Sequence, residues 1–206
     1  MKNRVLIILL CLVLTSVAIA QRSRKSSRYF GNAVLTDSLS TIFFPILYNE
    51  DLLSANKIAL WGGIYANLVV YDFNTDSYRR LFSTDTYIES FRSPTYRSVN
   101  EKITNITAKW IFLLVKPNDY NHNGRIDGDD PSVLYVTTTR GEELKALTDT
   151  TENVVSFEFF EKQGFGLIKI QRDSDTDFSF RNDSHFYFRK IDLNTLSLGK
   201  PIEVSD

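Results

Sequence analysis

The chain has 206 residues, with 24 basic and 25 acidic side chains and an apolar share ordinary for a soluble globular protein. That length suits one domain or two small ones, and the near-neutral balance gives no pointer to nucleic acid. The one cysteine, Cys11, lies in an N-terminal apolar run, so a chain without that run has no disulfide and no thiol nucleophile.

Lys2 and Arg4 precede an apolar stretch from Val5 to Ala20, and Ala18-Ile19-Ala20 has the small-x-small form of a cleavage site. Residues 1–20 are expected to be a secretory signal cut before Gln21, placing the protein in the periplasm or outside the cell. The alternative is an uncleaved membrane anchor, because Arg22, Arg24, Lys25 and Arg28 follow at once and oppose export. Leu10 stands where a lipoprotein signal needs a small residue, which argues against lipidation of Cys11. Removing residues 1–20 leaves 22 basic against 25 acidic side chains. Without its own chemistry of disulfides, such a domain depends on its core or on a bound ion for stability.

Residues 21–29 read as a flexible basic lead, and residues 30–206 as a β-repeat domain. In chain order, "STIFFPILY", "ANLVVYDF", "KWIFLLVK", "SVLYVTTT", "VVSFEFF", "FGLIKIQ" and "HFYFRKI" are rich in Val, Ile, Phe, Tyr and Thr, and several alternate. "EDLLSANKIAL" has room for one helical turn. Laid over one another, three segments share an order: an apolar strand, an insertion, a second strand, a polar turn and a short third strand. They begin at Ile42, Trp110 and Phe165, with "GNAVL", "YIESF" and "VVSFEFF" as a further strand ahead of each. The expected class is all-β, built from three propeller-blade-like four-stranded repeats. "NLVVYDFNTDSYRRLF" and "LYVTTTRGEELKALT" resemble the outer hairpins of periplasmic β-propellers of the Tol-associated family. Three blades fall short of the usual minimum of about four. The resemblance therefore implies an incomplete propeller, an unparsed blade, or two chains completing one another as a homo-oligomer. A β-sandwich is the alternative architecture.

Residues 119–130, "DYNHNGRIDGDD", lie in the second insertion. With Asp119 at position one, Asn121 and Asn123 take three and five, Gly124 six, Arg125 seven, Ile126 eight, Asp127 nine and Asp130 twelve. Calcium is a hard cation that takes about six to eight oxygens, and alternate side chains of a curled backbone converge on it. The loop resembles the EF-hand and dockerin calcium-loop families. That resemblance implies Ca2+ held by Asp119, Asn121, Asn123, the Arg125 carbonyl, Asp127 and Asp130. Asp130 stands where EF-hands use Glu, and two Asn replace acids, which weakens binding. The other reading is a solvated hairpin tip. His122 is expected to face solvent. Strands flank the loop, so no helix pair can open, and the ion is expected to staple the insertion rather than to signal.

Residues 173–184, "DSDTDFSFRNDS", fill the corresponding insertion of the third repeat. Asp173, Asp175 and Asp177 match positions one, three and five, but Phe178 stands in place of glycine and Asp183 falls at eleven. This second, weaker metal candidate reads as a decayed calcium loop. No catalytic constellation emerges. Two histidines, His122 and His185, form no metal pair, and there is neither a nucleophile elbow nor a phosphate loop. Trp61, Trp110, Phe157 and Tyr187 are expected in the core. The functional expectation is an exported calcium-binding protein whose scaffold binds a protein or a glycan. The alternative is a hydrolase using paired carboxylates, which need no sequence proximity.

Overall fold

A computed structural model describes residues 28–35, 40–48, 65–92 and 109–203. The signal segment, most of the basic lead, the expected helical turn at 50–60 and Trp61 lie outside the described residues. The described chain is all-β apart from short 3-10 turns at Lys109 and Glu161–Gln163.

Three antiparallel units follow one another. The first contains β1 (Arg28–Phe30), β2 (Val34–Leu35), β3 (Thr41–Tyr48), β4 (Tyr65–Asp72) and β5 (Ser77–Arg80). Its hydrogen-bonded order is β1-β3-β4-β5, with the short β2 also pairing β3. The second is β6 (Tyr87–Arg92), β7 (Trp110–Lys116), β8 (Val133–Thr138) and β9 (Lys145–Ala146), each strand pairing the next. The third is β10 (Glu152–Phe160), β11 (Phe165–Arg172), β12 (Phe186–Asp192) and β13 (Leu198–Ile202), again in sequence order. A single residue pair, Tyr65 with Ile88, joins the first two units into one sheet. β1 starts at Arg28, inside the segment expected as flexible lead, because Arg28, Tyr29 and Phe30 pair with Tyr48, Leu47 and Ile46.

The units pack through two cores. Phe43, Leu68 and Val70 of the first meet Ile88, Ile111, Leu113 and Val115 of the second. Phe112, Leu134 and Val136 of the second meet Phe157, Ile168, Ile170, Tyr187 and Ile191 of the third. β7 explains why both cores exist. Side chains alternate across a strand, so Ile111, Leu113 and Val115 enter one core while Phe112 enters the other. Phe157 and Tyr187 are buried and Trp110 is half-buried, as their strand positions imply.

The repeat extends to individual atoms in its turns. Asp72 Oδ1 accepts the N–H groups of Asn74 and Thr75 at 2.9 and 3.2 Å. Asp192 Oδ1 accepts those of Asn194 and Thr195 at 2.8 and 2.9 Å. Each turn then passes through a left-handed residue, Asp76 at φ 52° and Leu196 at φ 57°. The D-x-N-T-x-S pattern shared by residues 72–77 and 192–197 is thus the sequence trace of one turn used twice.

Candidate metal centre

The loop at 119–130 rises from the end of the β7–β8 pair, whose last bonded partners are Val115 and Val133. Its neck is built around Lys116, a buried cation. Lys116 Nζ donates to the Asp130 carbonyl and, at 3.0 Å, to Ser132 Oγ, and it pairs with Glu89 at 3.4 Å. Ser132 Oγ donates to Glu89 at 2.7 Å, and the Ser132 N–H donates to Asn153 Oδ1 at 3.0 Å. A charge in the low-dielectric interior needs such partners, so these contacts hold the C-terminal end of the loop against unit three.

Within the loop the backbone curls around its own side chains. Asp119 accepts the N–H groups of Asn123 at 3.1 Å and Gly124 at 2.8 Å. Asn121 Oδ1 accepts the Asn123 N–H at 3.0 Å, and Asn123 Oδ1 accepts that of Arg125 at 2.8 Å. Asp130 closes the ring from a buried position: Oδ1 accepts from Tyr120 at 2.8 Å and Asn121 at 3.3 Å, while Oδ2 accepts from Asp127 at 2.9 Å. Asp127 accepts from the Asp129 N–H and from Asn123 Nδ2. Two residues hold positive φ, His122 at 59° and Gly124 at 85°. His122 is exposed, and Ile126 is half-buried.

The loop at 173–184 repeats this wiring. Asp173 Oδ2 accepts the Phe178 N–H at 3.0 Å, the same one-to-six link as Asp119 to Gly124. Asp175 accepts from Asp177 at 3.3 Å, and Asp177 from Ser179 at 2.8 Å, matching the three-to-five and five-to-seven links. Positive φ recurs at the same two places, Thr176 at 59° and Phe178 at 63°. Phe178 therefore adopts the left-handed turn expected to require glycine. A left-handed non-glycine residue costs about 1–2 kcal/mol, and the ring has aromatic neighbours here. The Phe178 ring lies 5.5 Å from Tyr120 and 5.2 Å from His122.

The two loops touch. Tyr120 Oη donates to Asp173 Oδ2 at 2.9 Å, and its ring stands 5.6 Å from Phe180. Arg181 pairs with Asp129 at 2.8 Å. Burial, then the hydrogen bond to Asp173, push the Tyr120 phenol up to about 12, so it is a hydrogen-bond donor at neutral pH. From below, Gln171 Nε2 donates to the carbonyls of Phe180 and Asp183 at 2.8 and 2.9 Å, and Asn153 Nδ2 donates to Gln171 Oε1 at 3.1 Å. Asn153 thus ties the base of one loop to that of the other.

Among the described residues, a group of three carboxylates close enough for one ion forms in the second loop. Asp173, Asp175 and Asp177 each offer an oxygen within 4.8 Å of the others. The first loop brings Asp119, Asn121, Asn123, Asp127 and Asp130 into one hydrogen-bonded ring, in which each carboxylate oxygen accepts an N–H. Arg125 is exposed and enters through its backbone. Oxygen-only donor sets of this kind suit Ca2+ over softer metals. Sequence reasoning did not assign Lys116, Tyr120, Gln171 or Asn153, whose roles depend on partners from 9 to 53 residues away. No family model matches the chain, and no curated protein matches it.

Proposed function

We propose that this is an exported calcium-binding β-repeat protein in which the ion is structural. The observation that carries the reading is the shared wiring of residues 119–130 and 173–184: the same links from positions one, three and five, and the same two left-handed residues. Two unrelated polar tips would have little reason to share three such links and both left-handed positions. Both sit on rigid strands, so an ion there would brace an insertion without moving an element. The three units serve as blade-like layers of a binding scaffold for a protein or glycan. Exposed rings such as Phe186 and Phe188 of β12 support that role.

The test is thermal unfolding of the whole chain in calcium and in chelator. At a calcium concentration a hundredfold above Kd the folded state gains about 2.7 kcal/mol. For a chain of this size that raises Tm by about 8 °C. Asp119→Ala, which removes the carboxylate at position one, lowers that gain. A Tm that ignores both calcium and chelator removes the structural-ion reading.

A further inference from the structure

We propose that residues 173–183 form a second divalent-cation site, with Asp173, Asp175 and Asp177 as side-chain ligands and Asp183 closing the shell one residue earlier than Asp130 does in the first loop. The inference deepens the calcium reading above and takes the class of ion from it.

Three gathered acids alone would not carry this. The independent observation is a pair of buried oxygens. Asp173 Oδ1 and Asp183 Oδ2 are shielded from solvent and have no hydrogen-bond partner. Buried polar atoms are almost always partnered, and an unpartnered carboxylate oxygen is a costly exception that asks for a proton donor or a cation. Among the described residues no cation reaches either one. Arg172 is engaged by Glu152 and Glu203, and Arg181 by Asp129. The other oxygen of each pair is already occupied: Asp173 Oδ2 by Phe178 and Tyr120, Asp183 Oδ1 by Ser174.

The Ser174 bond also identifies Asp183 as the closing residue. In the first loop Asp130 Oδ1 accepts the N–H of the second residue, Tyr120, at 2.8 Å. In the second, Asp183 Oδ1 accepts that of the second residue, Ser174, also at 2.8 Å. The difference lies at the remaining oxygen. Asp130 Oδ2 has the Asp127 N–H, whereas Asp183 Oδ2 has none. Position nine of the second loop is Arg181, which turns away to Asp129 and supplies no ligand. Three carboxylates gather here and Asp183 would supply a fourth, against three carboxylates and two amides in the first loop. Ligand charge raises calcium affinity, so the second site is the tighter of the two.

The experiment counts bound calcium by equilibrium dialysis of the whole chain against calcium chloride, with Asp183→Asn, Asp175→Asn and Asp119→Asn. Asp175 is exposed and its carboxylate accepts only the Asp177 N–H, so its variant keeps the fold even if Asp183→Asn does not. Two ions per chain are expected for the parent. Asp175→Asn and Asp183→Asn each remove the tighter one or weaken it at least tenfold, and Asp119→Asn removes the weaker. One ion, abolished by Asp175→Asn and untouched by Asp119→Asn, sustains this site and overturns calcium in the first loop. One ion with the opposite pattern overturns this site and leaves the first. No bound calcium overturns both.

Discussion

At the scale of single residues, the sixth position of the two loops separates backbone strain from packing. Gly124 holds φ 85°, and a Cβ built on it meets nothing within 4 Å. Gly128 has equally open space without a left-handed φ. Gly124→Ala should therefore cost about 1–2 kcal/mol through conformation alone, while Gly128→Ala stays within about 0.5 kcal/mol of the parent. Urea denaturation in chelator reads both without a contribution from bound ion. Equal effects for the two variants would show that φ at Gly124 is not the constraint. Phe178 shows that the left-handed turn at this position forms without glycine. Its ring packs between Tyr120 and His122, and those neighbours come from a segment more than fifty residues away.

At the scale of elements, β4 contains a buried polar residue that a strand pattern would assign to an apolar side chain. Asn67 is 0% exposed and makes four hydrogen bonds. Its amide donates to the carbonyls of Phe82 and Thr84 at 3.0 and 2.9 Å, and its oxygen accepts the N–H groups of Leu68 and Phe82 at 2.9 and 3.1 Å. These bonds take the place of strand pairing where the chain leaves β5 and turns toward β6. Asn67→Leu fits the volume but strands those partners. Each buried group left without a partner costs roughly 1–3 kcal/mol, so the variant should lose about 3 kcal/mol or more by chemical denaturation. A neutral effect would mean that water or backbone rearrangement supplies the missing partners.

For the whole molecule, stability should fall at both ends of the pH scale, for separate reasons. Asp149 is held below its ordinary value by the N–H and hydroxyl of Thr151, and Asp192 by the N–H groups of Thr195 and Asn194. Their unfolded values are higher than their folded ones. The stability they contribute is complete above the ordinary carboxylate value and is lost as pH falls through the lowered folded values. Tyr187 has the opposite sign. Burial, then its hydrogen bond to Glu152, push the phenol up to about 12. Its contribution is complete below the ordinary phenol value of 10.0 and is lost as pH rises toward about 12. Tm measured across pH should therefore drop on the alkaline side, and Tyr187→Phe should flatten that drop while leaving the acid limb alone. An alkaline limb unchanged by Tyr187→Phe would assign the loss to another group.

The strands and their succession along the chain could be read from the sequence, because alternation is a local property. Alternation of apolar side chains marks a strand regardless of its partner, and the predicted Trp110–Lys116 strand agrees with β7 at both ends. The clustering of carboxylates in both loops was legible for the same reason, since an acidic pattern with fixed spacing needs no long-range contact. What the sequence by itself determined is thus an all-β chain with two acidic insertions at equivalent places. The tertiary structure alone decided how those insertions relate: that Tyr120 reaches Asp173, that the Phe178 ring meets Tyr120 and His122, and that Arg181 pairs with Asp129. Those facts depend on how units two and three pack, and packing brings together atoms whose separation along the chain carries no trace of their distance in space.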